Sequence, residues 1–167
     1  MFDPALLTCA TTLLVRLRAH HLTLVTAESC TGGLIAGLFT EIAGASDVID
    51  RGFITYSNAA KMALLGVPAA TLASVGAVSR ETAIAMAEGA IARAGANPAG
   101  SIAIAVTGVA GPGGGSAEKP VGLVHIAAAR TGHATRHREC RFGDIGRYEV
   151  RMATVVAALD LIADMIG

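Results

Sequence analysis

Tryptophan is absent from this chain, tyrosine occurs twice and phenylalanine four times. Only 16% of the residues are charged, and the formal charges cancel to zero; an average soluble domain carries roughly 25%. Without a basic stripe or interleaved aromatics, the sequence offers no surface for nucleic acid. Cysteine is scarce too: Cys9, Cys30 and Cys140 form no CxxC pair, so a disulfide framework is excluded and a reduced, cytoplasmic setting is expected. No set of His, Cys and carboxylate residues has metal-ligand spacing, so neither a metal nor another cofactor is expected. "LLTC" at 6–9 follows Asp3 without a basic region or an apolar core, and no signal peptide is read there. Residues 62–79 carry no charge, but Gly66, Pro68 and Gly76 interrupt them, which excludes a membrane span. So few charges on 167 residues predict a surface partly covered by a second copy, hence a homo-oligomer.

What is present is a run of apolar segments with clear punctuation over one domain, residues 1–167. Asp3-Pro4 reads as an N-cap with proline in the first turn, and Leu6, Ala10, Leu13, Leu14 and Leu17 then recur at helical spacing over 4–19. Strands are predicted at 22–27 and 52–57, and helices at 32–43 and 58–67. Residues 68–79 read as loop. Ser79 caps a helix over 80–94. "SIAIAVTG" at 101–108 is a fully apolar strand, followed by the loop "VAGPGGGSAEKP" at 109–120. A strand at 121–129, a charged edge strand within 133–142 and a helix over 145–166 complete the chain. This order predicts an α/β fold: a three-layer α/β/α sandwich with a mixed, mostly parallel sheet and a C-terminal antiparallel hairpin.

Ligands in such sheets sit at the carboxyl ends of the strands. Three strands end in "ESCTGG" (28–33), "TYSN" (55–58) and "TG" (107–108), and parallel strands would bring them together. Ser29 lies on a strand-to-helix turn, where unpaired N–H groups can stabilise an oxyanion; Ser29 or Thr31 could equally be a plain helix cap. Cys30 is either a rival nucleophile or a small buried apolar residue. The histidines fall in turns, on a polar edge or, for His125, inside an apolar strand, so none is well placed as a base. Lys61 is the better candidate, being the one charged residue between Arg51 and Arg80. A dry pocket lowers a lysine's pKa and makes it a base; the bland alternative is a solvated surface lysine. The glycine loop matches neither a dinucleotide fingerprint nor a P-loop, and is either a backbone nest for phosphate or a flexible connection. Arg141, Arg147 and Arg151 are candidate anion ligands.

Taken together, "TAESCTGG", "GFITYSNAAKMALLGV", "AVTGVAGPGGGSAEKPVGLVHIA" and "FGDIGRYEVR" closely resemble the CinA C-terminal family over nearly the whole chain. Single-domain members of that family are nicotinamide-nucleotide amidases. The resemblance implies hydrolysis of the carboxamide of nicotinamide mononucleotide to nicotinate mononucleotide and ammonia, in pyridine-nucleotide salvage. It implies Ser29 as nucleophile, activated by Lys61 and Tyr56. It places Thr31, Gly32, Thr107, Gly108, Gly111, Gly113, Gly114 and Arg147 around the nucleotide. The spacing between Asp144 and Arg147 is longer than in the family's commoner Gly-Asp-Arg form. No counterpart of the pyrophosphatase-like domain of fused members is present, and that activity is not expected. The competing readings are a non-catalytic nucleotide- or partner-binding module and an amidase for another small amide.

Overall fold

The computed structural model describes residues 2–95 and 97–167; Met1 and Ala96 lie outside it. Five strands form one sheet: β1 (Thr23–Glu28), β2 (Ile49–Ile54), β3 (Ser101–Gly108), β4 (Leu123–Arg130) and β5 (Arg136–Arg141), in the order β2-β1-β3-β4-β5. β1 pairs in parallel with both β2 and β3, and β4 runs antiparallel to β3 and to β5. Four strands therefore point one way and β4 alone runs back, as a mixed sheet with a closing hairpin requires.

Among the described residues six α-helices cover the two faces: α1 (Pro4–Ala19), α2 (Leu34–Thr40), α3 (Asn58–Leu65), α4 (Ala69–Val75), α5 (Arg80–Ala92) and α6 (Arg147–Ile166). Asp3 accepts from the Ala5 N–H at the start of α1, and the Ser79 hydroxyl accepts from Thr82 N–H at the start of α5. Alternation along the strands decides what each layer meets. Leu24, Ile102, Ile104, Val106, Val124 and Ile126 pack under α1, α2 and α6. On the opposite face Ala27, Ala103, Ala105 and Ala127 meet Ala83, Met86, Ala87 and Ala90 of α5. Alanine on both sides lets α5 lie close to the sheet.

Three expectations shift. The second strand is Ile49–Ile54 instead of 52–57, because its first turns carry Asp50 and Arg51 on an exposed edge and so lack an apolar pattern. Residues 55–57 are the turn into α3, with the Ser57 hydroxyl accepting from Ala60 N–H at 3.1 Å. The predicted loop at 68–79 contains α4, which buries none of its residues and so has no amphipathic signature. The helix expected at 32–43 is shorter, Leu34–Thr40, since Gly32 and Gly33 adopt left-handed φ values of 62° and 100°.

Gly89 fixes how α3 meets α5. A Cβ built there would lie 1.9 Å from the Leu65 carbonyl oxygen. Only glycine lets the end of α3, and with it Lys61, sit this close.

Candidate active site

The side chains of Glu28 and Ser29 leave the end of β1 toward opposite faces of the sheet. The Glu28 carboxylate is fully buried and accepts from Thr31 Oγ1 at 2.7 Å and from the N–H groups of Gly33, Ile35 and Ala36 at 2.9, 3.1 and 2.9 Å. It therefore caps α2, supplying the negative charge that the helix N-terminus favours. Neither Ser29 nor Thr31 does so. This role was missed from sequence, although a carboxylate at the end of an apolar strand was its visible sign.

Relieved of capping, Ser29 points to the other face. Its Oγ lies 3.0 Å from Lys61 Nζ, and both side chains are buried. Lys61 Nζ also lies 2.7 Å from the Thr55 carbonyl and 3.5 Å from that of Tyr56. Burial pushes its pKa below the ordinary lysine value. A neutral amine has two donors and one lone pair. With two carbonyls facing its donors, the neutral form would keep its lone pair for the Ser29 hydroxyl proton. The Cys30 thiol beside it is buried, which pushes its pKa up to about 12, so it stays protonated.

A cavity of about 190 Å³ opens over this pair, walled by Tyr56, Ala77, Val78, Thr107, Gly108 and Arg147. The Thr107 hydroxyl donates to the Ala77 carbonyl at 2.8 Å and so holds the α4–α5 connection against the site. That connection was not anticipated from sequence. Arg147 spans the mouth, donating to the Gly111 carbonyl at 2.7 Å and to the Tyr56 hydroxyl at 3.2 Å. Tyr56 is 65% exposed, and its hydroxyl faces Arg147; only its backbone carbonyl touches Lys61.

The remaining candidates stand outside the cavity lining. Thr31 is fully buried with its hydroxyl on Glu28, Gly32 forms the turn by donating to the Ser29 carbonyl, and Gly111 serves Arg147 through its carbonyl. Gly113 and Gly114 have open space around them. Of the three arginines, Arg147 alone lines the cavity: Arg141 pairs with Glu139 at 2.7 Å on β5, and Arg151 binds the carbonyls of Cys30 and Thr31. His125 lies 3.1 Å from His137 and lines a separate cavity.

The CinA C-terminal domain profile matches residues 7–166, and the chain belongs to that family. It is 53% identical over 137 residues to a competence-damage inducible protein of Caldicellulosiruptor bescii, covering 81% of this chain and 32% of that one. A CinA-like protein of Geotalea daltonii is 52% identical over 139 residues, covering 83% and 32%. The chain thus spans about a third of the length of the curated relatives it matches. Among solved structures, the competence/damage inducible protein CihA from Agrobacterium tumefaciens superimposes with a TM-score of 0.95 at 52% identity, covering 100% of this chain and 99% of that one. A CinA superfamily protein from Escherichia coli gives 0.88 at 32% identity, covering 99% and 94%. Among the described residues no helix is long and apolar enough to cross a membrane.

The Glu28 cap carries a direct consequence for stability. Glu28→Gln places an amide N–H₂ among N–H donors and is expected to cost about 1.5–3 kcal/mol, read from urea unfolding. Thr31→Val removes one of the four donors and should cost less, about 1 kcal/mol. Equal unfolding midpoints for Glu28→Gln and the parent protein would contradict this role.

Proposed function

We propose that this chain is a serine amidase that hydrolyses the carboxamide of nicotinamide mononucleotide to nicotinate mononucleotide and ammonia. The single observation that carries the reading is the 3.0 Å contact between the buried Lys61 amine and Ser29 Oγ. Ser29 Oγ attacks the amide carbon while Lys61 takes its proton. The tetrahedral intermediate collapses as Lys61 returns that proton to the nitrogen, and ammonia leaves. A water, deprotonated by Lys61, then attacks the acyl-enzyme; that proton goes back to Ser29 Oγ, and the acid product departs as carboxylate, its remaining proton passing to solvent. Family membership supports the reading, as does the neutral Cys30 thiol, which leaves the serine as the nucleophile.

The size of the site bears on the substrate. Drug-sized ligands occupy roughly 300–1,000 Å³, and the cavity here is about 190 Å³. It suits a flat ring bearing an amide, with the ribose phosphate lying outside, beyond Arg147. Two N–H groups of Arg147 are used within the protein; the guanidinium has five, so it can still grip a phosphate. Tyr56, the third member of the catalytic set that the family implies, is assigned here to the rim with Arg147. A cytoplasmic salvage role and a homo-oligomeric state belong to the same proposal.

Ammonia release from nicotinamide mononucleotide, its riboside and free nicotinamide tests the reading. Ser29→Ala should lower the rate by several orders of magnitude and Cys30→Ala should leave most of it. Lys61→Arg should fail nearly as badly as Lys61→Ala, because a guanidinium cannot act as base at working pH. Near-normal turnover by the arginine variant would remove Lys61 from the proton path. Release from an unrelated small amide, with none from the mononucleotide, would retain the chemistry and change the substrate.

The assigned phosphate grip makes a separate prediction. Arg147→Ala should weaken mononucleotide binding by about 1.5–3 kcal/mol, the range for a hydrogen bond to a charged group. Turnover of the riboside, which has no phosphate, should hardly change. Equal losses on both substrates would make Arg147 a structural strap alone.

A further inference from the structure

The first two turns of α6 present two arginines four residues apart on the same side. Arg147 reaches the rim of the cavity, whereas Arg151 does not line it. Arg151 turns instead to the back of the nucleophile turn: Nε donates to the Cys30 carbonyl at 3.2 Å and Nη2 to the Thr31 carbonyl at 2.7 Å. These two nitrogens form one edge of the guanidinium fork, so the two bonds fix a plane and not just a point. Among the described residues no carboxylate pairs with Arg151.

We infer that Arg151 is a positioning residue, which holds the Ser29 turn in the geometry that the reaction needs without touching substrate. The two carbonyls belong to the consecutive peptide planes on either side of Thr31. In a trans peptide the N–H points opposite to the carbonyl. Holding the Thr31 carbonyl therefore orients the Gly32 N–H, which donates to the Ser29 carbonyl at 3.2 Å and closes the turn. Gly32 has a left-handed φ of 62°, open to glycine at little cost but also easily abandoned. Glu28 anchors the chain from Thr31 onward and the Val106 carbonyl anchors the Ser29 N–H at 3.1 Å, so the peptides between them depend on Arg151.

This inference rests on Ser29 being the activated nucleophile and not on the identity of the amide. The test is therefore run with two readouts on Arg151→Lys and Arg151→Gln: ammonia release from nicotinamide mononucleotide, and the rate at which a fluorophosphonate labels Ser29. A displacement of about 1 Å at a reacting group costs up to roughly 100-fold in rate. Both variants should stay folded by thermal unfolding, lose about 10- to 100-fold in kcat with KM within about two-fold of the parent, and label more slowly by a similar factor. Lysine should not rescue, because an ammonium donates from a single point and lacks the rigid planar fork that fixes both peptide planes. Labelling of both variants at the parent rate would overturn the inference, as would a raised KM with unchanged kcat, which would put Arg151 on the substrate. A parent protein that labels but releases no ammonia from the mononucleotide would refute the substrate, while the labelling ratio still decides the role of Arg151. A parent that takes up no label would overturn both.

Discussion

An ammonium ion is strongly disfavoured in an interior that excludes water, and Lys61 is 1% exposed. Among the described residues no carboxylate pairs with it: its hydrogen-bond partners are two backbone carbonyls and the Ser29 hydroxyl. Burial thus favours the neutral amine, and the chemistry proposed for the site rests on that preference. Keeping the amine buried needs the end of α3 pressed against α5, which the missing side chain at Gly89 allows. It also needs β2 and β1 to end level with one another, which their parallel register supplies.

The nucleophile side is built by division of labour between two adjacent residues. Glu28 takes the N–H groups at the start of α2, and this frees Ser29 to face Lys61. α6 then closes the assembly from outside: Arg147 ties the glycine loop to Tyr56, and Arg151 grips the back of the serine turn. Five segments far apart in the chain meet at one cavity, each through a polar contact a few ångströms long.

Much of this arrangement was legible in the sequence, and the misses have physical causes. β3 and β4 are apolar on both faces, so their strands stood out with nearly correct ends. β2 lies at an edge and carries solvated charge, so the pattern pointed three residues too late. α4 is short and buries none of its residues fully, so it left no clear periodicity to find. At the site, spacing could identify Ser29 and Lys61 as candidates because each is a polar residue at the end of an apolar element. It offered Ser29 or Thr31 as the cap of α2, the usual N-cap residue types, and missed Glu28, whose longer side chain reaches the same N–H groups only in the folded turn. It also could not separate Arg147 from Arg151: both lie on α6 one turn apart, and only the folded chain shows that one faces the cavity and the other the turn behind it.

The central claim is that Lys61 is a neutral base held against Ser29. The most direct test is an NMR titration of the Lys61 side chain in the protein labelled with 13C at lysine Cε, assigned by comparison with Lys61→Met. The account predicts a midpoint below the ordinary lysine range, set by burial. A midpoint at or above that range would mean an ammonium at working pH, and would contradict the assignment of Lys61 as the base.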